Sequence, residues 1–320
     1  MKISRRQFSA ALLAALAFPQ AVRANEKIMK IVVGSPPGGT TDIMGRLAAR
    51  SLGQALGMNG LVENRSGAAG MIGASYVAKT SPADGLVLLM SSASHATIDF
   101  LYKNVPYDSH ADFQPVVLMA KTPYVLVAHP GLGVETLDAL IDKVKQAPGE
   151  FSFASSGNGN VQHLAGERLK ALAGLDMLHI PYKGSAEAIP DVLSGRVPIM
   201  FDNVALMGGH IKNKSLIPIA VTSAERVSVL PDVPTFAEAG IDGMALIGWF
   251  ALWAPAGVDE PLIRQINDAA NEVLARPDVR ATLSEMGSTP GGGSPADLAA
   301  FYAQQRTVFA DVIEAAKIRL

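Results

Sequence analysis

Ser35-Pro36-Pro37-Gly38-Gly39-Thr40-Thr41-Asp42 joins a short β-branched run, Lys30 to Val33, to an amphipathic stretch from Asp42 to Leu56. Two adjacent glycines can take positive φ, which turns successive N–H groups toward one point. Thr40, Thr41 or Asp42 can cap the following helix, whose first N–H groups carry partial positive charge. Such a strand–turn–helix junction can cradle a carboxylate or a phosphate. The same residues would also serve an ordinary turn with a capped helix. No Gly-Lys-Ser/Thr follows the glycines, so the stretch is not a nucleotide P-loop.

Ser155-Ser156-Gly157-Asn158-Gly159-Asn160 repeats the arrangement further along the chain. Gln162 stands where a dinucleotide fingerprint needs its third glycine, and the fingerprint's acidic residue is not evident. Asn158 and Asn160 can take the left-handed conformation or cap a helix. Three more loops follow apolar runs: Ser91-Ser92-Ala93-Ser94-His95, Tyr182-Lys183-Gly184-Ser185 and Phe201-Asp202-Asn203. Ligands of open α/β sheets bind at such strand ends. Ser185 and Asp202-Asn203 could equally cap the next helices, and Lys183 could be solvated.

Other chemistries find little support. Ser155, His163 and Asp202 could be assembled into a hydrolase triad, but no G-x-S-x-G surrounds any serine. The six histidines lack metal-ligand spacing, and the absence of cysteine excludes disulfides, thiolate sites and a cysteine-linked lipid anchor. No metal or cofactor is expected. A formal net charge of -2 argues against nucleic acid or an anionic membrane as partner.

The elements that must position these loops alternate between strand and helix. Strands are expected at Lys30–Val33, Leu61–Asn64 and Leu86–Met90, with helices over Asp42–Leu56 and Ala69–Lys79. In the first helix, Ile43, Leu47, Leu52 and Leu56 form the apolar face, opposite Arg46 and Arg50. A second set has strands at Phe151–Ala154, Met177–Pro181, Pro198–Phe201 and Ile217–Val221, with helices near Asn160–Ala173 and Ala188–Leu193. Two long apolar runs, Pro115–His129 and Ile247–Pro255, read as strands crossing between the sets. Two amphipathic helices follow, Pro261–Ala275 and Pro295–Ala316. The order predicts parallel pairing in an α/β protein. One lobe is expected from residues 25–125 and 222–320, and the other from 126–221. Two crossings make a hinge, and a hinge makes a cleft.

The N-terminus reads as an address. Lys2, Arg5 and Arg6 precede the apolar run Ala10–Phe18, and Val22-Arg23-Ala24 offers a cleavage site. Ser4-Arg5-Arg6-Gln7-Phe8 fits the twin-arginine pattern, so residues 1–24 are read as a signal peptide of that type. The expected location is the periplasm, as a soluble chain without a lipid anchor.

Several blocks occur in one order over the whole mature chain: Pro36 to Asp42, Val62-Glu63-Asn64-Arg65-Ser66-Gly67-Ala68-Ala69-Gly70, Pro82-Ala83-Asp84-Gly85, Ala154 to Gly159, His163-Leu164-Ala165-Gly166-Glu167, His179 to Gly184, Met200 to Asn203, Ala220 to Ser223 and Leu230 to Thr235. In these blocks the chain resembles the Bug family of periplasmic receptors, the substrate-binding components of tripartite tricarboxylate transporters. The resemblance implies a type II periplasmic-binding-protein (Venus flytrap) fold, two α/β lobes joined by two hinge crossings. It implies no catalysis, a monomer, a small carboxylate as ligand and integral-membrane transporter subunits as partners. The same cleft would also serve a ligand sensor. By the match, the pocket role falls to Ser35, Gly39, Thr40, Thr41, Asp42, Ser92, His95, Ser156, Asn158, His163, Lys183, Gly184 and Asp202. Asp202 would orient donors or meet a hydroxyl or ammonium of the ligand. The chain departs from the family pattern at Ser35, where an aromatic residue is common, at Ala93 in place of glycine and at Asn160 in place of a small hydroxyl residue. Pro190 is expected in the first turn of its helix.

Overall fold

The computed structural model describes residues 27–318; the expected signal peptide lies outside them. The strands are β1 (Ile28–Val33), β2 (Asn59–Asn64), β3 (Val87–Ser92), β4 (Phe113–Ala128), β5 (Phe151–Ser155), β6 (Met177–Pro181), β7 (Ile199–Asn203), β8 (Ile217–Val221), β9 (Ile247–Pro255) and β10 (Thr289–Gly292). The helices are α1 (Thr40–Ala55), α2 (Met71–Thr80), α3 (Ile98–Leu101), α4 (Leu137–Gln146), α5 (Val161–Ala173), α6 (Ser185–Leu193), α7 (Val204–Lys212), α8 (Glu260–Ala275), α9 (Pro277–Glu285) and α10 (Pro295–Ala315). Strand order is β2-β1-β3-β9-β4-β7-β5-β6, with β8 and β10 also paired to β4.

Pairing is parallel between β1 and its neighbours β2 and β3, and between β5 and its neighbours β6 and β7. The long strand β4 joins two halves. Its residues Phe113 to Pro123 run antiparallel to β9, and Tyr124 to Ala128 run antiparallel to β7. The partner changes at Pro123, which has no N–H to give to a ladder. Ile247, the first residue of β9, lies opposite Pro123. Both passages between the halves are therefore adjacent.

Each half is covered on both faces. In the first, Ile31 and Val33 meet Met44, Ala48 and Leu52 of α1 and Ile263 and Ile266 of α8. On its other face, Val32 and Leu89 meet Met71 and Val77 of α2 and Phe309 of α10. In the second half, Phe153 and Phe201 pack with α4 and α5, and Val125, Val127 and Met200 pack with α6 and α7. Full burial of each such side chain is worth about 1.5–3 kcal/mol.

Two sequence expectations change. The buried face of α1 is rotated, since Met44, Gly45, Ala48, Ala49, Leu52 and Gly53 are buried while Ile43 and Leu47 are half-buried. Close approach causes this: a Cβ at Gly45 would stand 2.5 Å from Val33 Cγ2, and one at Gly53 would stand 2.7 Å from Gly60 N. Small residues win this face because they let the helix sit on the sheet. Helix α6 starts at Ser185, not Ala188, so Pro190 lies in its interior and not in its first turn. Ala186 O thereby loses the N–H that would ordinarily meet it. Helices α3, α4, α7 and α9 and strand β10 have no counterpart in the sequence reading. Val221 N donates to Pro234 O, and Val227, Leu230 and Val233 pack with Val125 and Val127.

Candidate functional site

Between the halves lies a cavity of about 490 Å³. Loops from both halves close on it. A Cβ on Gly184 would stand 2.9 Å from Pro36 Cδ, and Asn203 Nδ2 lies 3.4 Å from Thr40 Oγ1. Thr97 Oγ1 donates to Gly159 O at 2.8 Å, and Tyr102 Oη donates to Asn158 O at 3.0 Å.

Five helices begin at the cavity wall. Their N-cap residues are Gly39, Gly70, Asn160, Gly184 and Asn203, all of which line it, and none makes a side-chain cap. The first N–H groups of an uncapped helix carry partial positive charge and seek an acceptor. The formal charges among the described lining residues are Lys183 and Glu187, both exposed. The groups able to meet an anion without a buried cation are therefore hydroxyls and backbone N–H groups.

Ser35, Gly39, Thr40, Thr41, Ser92, His95, Ser156, Asn158, Lys183 and Gly184 line the cavity together, as the sequence suggested. Asp42, His163 and Asp202 do not line it; they stand behind the loops that do. Asp42 accepts from Gly38 N at 3.0 Å, Arg46 Nε at 2.9 Å and Asn64 Nδ2 at 2.8 Å. Burial works to raise its pKa, but the bonds from Arg46, Gly38 and Asn64 outweigh burial and hold the carboxylate below its usual range. It fixes the glycine turn from the rear instead of capping α1.

His163 plays the matching part in the second half. Its Nδ1 accepts from Gly159 N at 3.2 Å, and its ring stacks on His179 at 3.9 Å between centroids. Ser155 Oγ meets His179 Nε2 at 2.6 Å and accepts from Gly157 N at 3.1 Å. Burial pushes His163 down to about 4 and His179 down to about 3, so both rings are neutral at pH 7. A neutral ring is required at His163, because Nδ1 accepts from a backbone N–H.

Asp202 is fully buried, and its Oδ1 accepts from Asn203 N at 2.7 Å and Gln162 Nε2 at 3.3 Å. Burial pushes its pKa up to about 6, with bonds from Ser185, Asn203 and Gln162 opposing. All three donors belong to lining residues. Of its two expected roles, orientation of donors is the one this geometry serves.

The remaining wall was not read from the sequence. Tyr102, Tyr107 and Tyr124 line the cavity, as does Gln162. The loop Gly67–Gly70 lines it with Ala68 and Ala69 at φ of 47° and 53°. Left-handed alanines are costly and leave no trace in composition, though the loop lies within a block that carried the family resemblance. His95 packs among Tyr107, Phe113, Trp253 and Tyr302, and burial pushes it down to about 4.

Residues 44–318 match the tripartite tricarboxylate transporter family receptor, TctC. BugT of Bordetella pertussis is 38% identical over 287 residues, covering 89% of this chain and 88% of its own length. Rpa4515 of R. palustris, solved with adipate, superposes with a TM-score of 0.88 at 34% identity, covering 91% of this chain and 97% of that one. MatC of Rhodopseudomonas palustris, solved with malate, gives a TM-score of 0.84 at 27% identity, covering 89% and 99%. The shared architecture is the type II periplasmic-binding-protein fold, two α/β lobes joined by two crossings. On the match over residues 44–318, the chain belongs to the TctC family of tripartite tricarboxylate transporter receptors, which are solute-binding proteins.

Proposed function

We propose that the chain captures a small carboxylate in the periplasm by closing its lobes and delivers it to a tripartite membrane transporter, with no catalytic step of its own. One observation carries the reading: five uncapped helix starts meet at one cavity whose described lining holds no buried cation. An anion in such a place is neutralised by fixed dipoles and avoids the desolvation cost of a buried ion pair. The bound acids of Rpa4515 and MatC support a carboxylate. No described helix is long and apolar enough to cross a membrane, in keeping with a receptor that works beside its transporter. A monomer suffices, since one chain supplies both walls.

In this reading Ser35, Gly39, Thr40, Thr41, Ser92, Ser156, Asn158 and Gly184 meet the ligand, with His95 and Lys183 at the edges of the cavity. Asp42, His163 and Asp202 hold those groups in place. The hinge passes through Pro123–Tyr124 and Leu246–Ile247. Lobe 1 is then residues 27–123 and 247–318 and lobe 2 is 124–246, a later return than position 222, supported by the packing of Val227, Leu230 and Val233.

Native mass spectrometry of the purified protein, then thermal shift against a panel of mono-, di- and tricarboxylates, tests the capture step. A ligand at 100 times its Kd should add about 2.7 kcal/mol of stability. No bound acid and no shift with any member of the panel would end the reading. Delivery is tested by deleting the gene: uptake of the identified acid should fall, and unchanged uptake would remove the transport role.

A further inference from the structure

Two hydroxyls from the first half reach across the cavity to one loop of the second. Thr97 and Tyr102 lie after β3, and the loop Gly157–Asn160 lies between β5 and α5. Thr97 Oγ1 donates to Gly159 O at 2.8 Å, and Tyr102 Oη donates to Asn158 O at 3.0 Å. The same loop presents the uncapped start of α5 to the cavity. Its N–H groups are held from within lobe 2, Gly157 N by Ser155 and Gly159 N by His163. Its Asn158 and Gly159 carbonyls are held from the opposite half. Both carbonyl bonds span the cleft, so they exist only while the halves are together.

Thr97 has a second partner. Its hydroxyl also lies 2.9 Å from Ser94 O, in its own turn, and one hydroxyl has one proton to give. With the cleft apart, the proton goes to Ser94 O; with it together, Gly159 O competes for it. Thr97 is fully buried, yet opening leaves it no orphaned hydroxyl. Closure thus exchanges one partner for another and carries a small net gain, which suits a cleft that must reopen. The Ser94 side chain, 2.6 Å from Ser92 Oγ, lines the cavity beside this switch.

We propose that Thr97 and Tyr102 are positioning residues that latch the Gly157–Asn160 loop on closure, setting the direction of its N–H groups and the lifetime of the closed form. The proposal rests on the receptor reading and adds which groups time the release of ligand.

The chain contains no cysteine, so Asp138→Cys on α4 and Asp268→Cys on α8, both exposed, give unambiguous spin-label sites on the two halves. Distances are measured with and without adipate in the labelled wild type and in Thr97→Val/Tyr102→Phe. The double variant should shift toward longer distances in either state while its melting temperature stays near wild type. The dissociation rate of adipate should rise about three- to tenfold for the lost Tyr102 bond and by less for Thr97, whose hydroxyl only exchanges partners, with the association rate unchanged. Thr97→Ser, which keeps the hydroxyl, should restore the wild-type rate at that position. A wild type that ignores adipate and every other acid, alongside a double variant that is still more open, would end the receptor reading and leave the latch standing. A double variant with wild-type distances in both states overturns the latch.

Discussion

Helices α4 and α10 begin away from the cavity on Thr136 and Ser294, whose hydroxyls accept from the N–H groups of Ala139 and Asp297. Asp297 returns the bond to the Ser294 N–H, completing a capping box. Helices α1, α2, α5, α6 and α7 begin on the cavity with no side-chain cap. Helices α8 and α9 are also uncapped, but a proline in the first turn removes a donor there. Local stability would favour a cap at every start, at about 1 kcal/mol each. The cavity helices start without a side-chain cap, and the loops before α1 and α5 are braced from behind by buried groups. Starts closed by a hydroxyl and starts without a side-chain cap at the cavity are thus separated by position.

The largest expected effect tests that bracing. His95, His163 and His179 are pushed by burial from 6.5 down to about 4, 4 and 3. A base depressed in the folded state favours folding fully above its unfolded pKa and loses that favour as pH falls toward the folded value. Stability should therefore fall between pH 6.5 and 4, by up to roughly 3 kcal/mol for each of the buried rings His95 and His163, and by less for the half-buried His179, whose charge is partly screened by solvent. Asp202 works the other way, since its pKa is raised from 3.8 to about 6. Its proton favours the folded state below the unfolded pKa, and that favour is lost as pH rises through about 6. Urea titrations at stepped pH should show a net loss on acidification that is smaller in His163→Gln and larger in Asp202→Asn. Flat stability from pH 7 to 4 would mean the rings are not neutral braces.

Next in size is the conversion of a free start into a capped one. Gly39 has φ of −80°, and a Cβ there has no neighbour closer than 3.9 Å, so a side chain fits. Gly39→Asp should cap α1 and put a carboxylate where the ligand's own would sit. The free protein should gain a few tenths of a kcal/mol, while affinity for a carboxylate falls by about 1–3 kcal/mol. Calorimetry against an acid that binds the wild type measures the second, and unchanged affinity would place the ligand elsewhere. The surface counterpart is Ser294→Ala, which should remove about 1 kcal/mol of stability and leave affinity untouched. Loss of affinity in that variant would break the separation by position.

The sequence displayed this division unevenly. The glycine turn at Gly38-Gly39 and the parallel strand–helix order were legible because glycine, β-branched runs and helical periodicity each leave a local signature. Loops placed at strand ends pointed to the region of Ser35, Thr40, Ser92 and Gly184, and the family resemblance singled out these residues. The bracing was not legible: Asp42 sits among residues that read as cap formers, and its turn toward Gly38 and Asn64 depends on a strand 22 residues away. The tyrosines at 102, 107 and 124 lie in segments whose fold is set by tertiary packing. Pro190 misled because a proline inside a helix reads as a start, and α6 begins five residues earlier.

The smallest expected effect lies at Asn160, which occupies the N-cap of α5 in extended geometry but does not cap it. Its Nδ2 donates instead to Ser156 Oγ at 2.9 Å, and its buried Oδ1 has no partner. Asn160→Ser places a shorter acceptor on the same backbone, within reach of the first-turn N–H groups. The helix should gain about 0.5 kcal/mol, and Ser156 should lose its donor. If those N–H groups serve the ligand, the cap competes with it, and affinity should fall about two- to threefold as stability rises. If affinity rises with stability, the start of α5 points away from the guest, and the anion is held by the α1 side of the cavity alone.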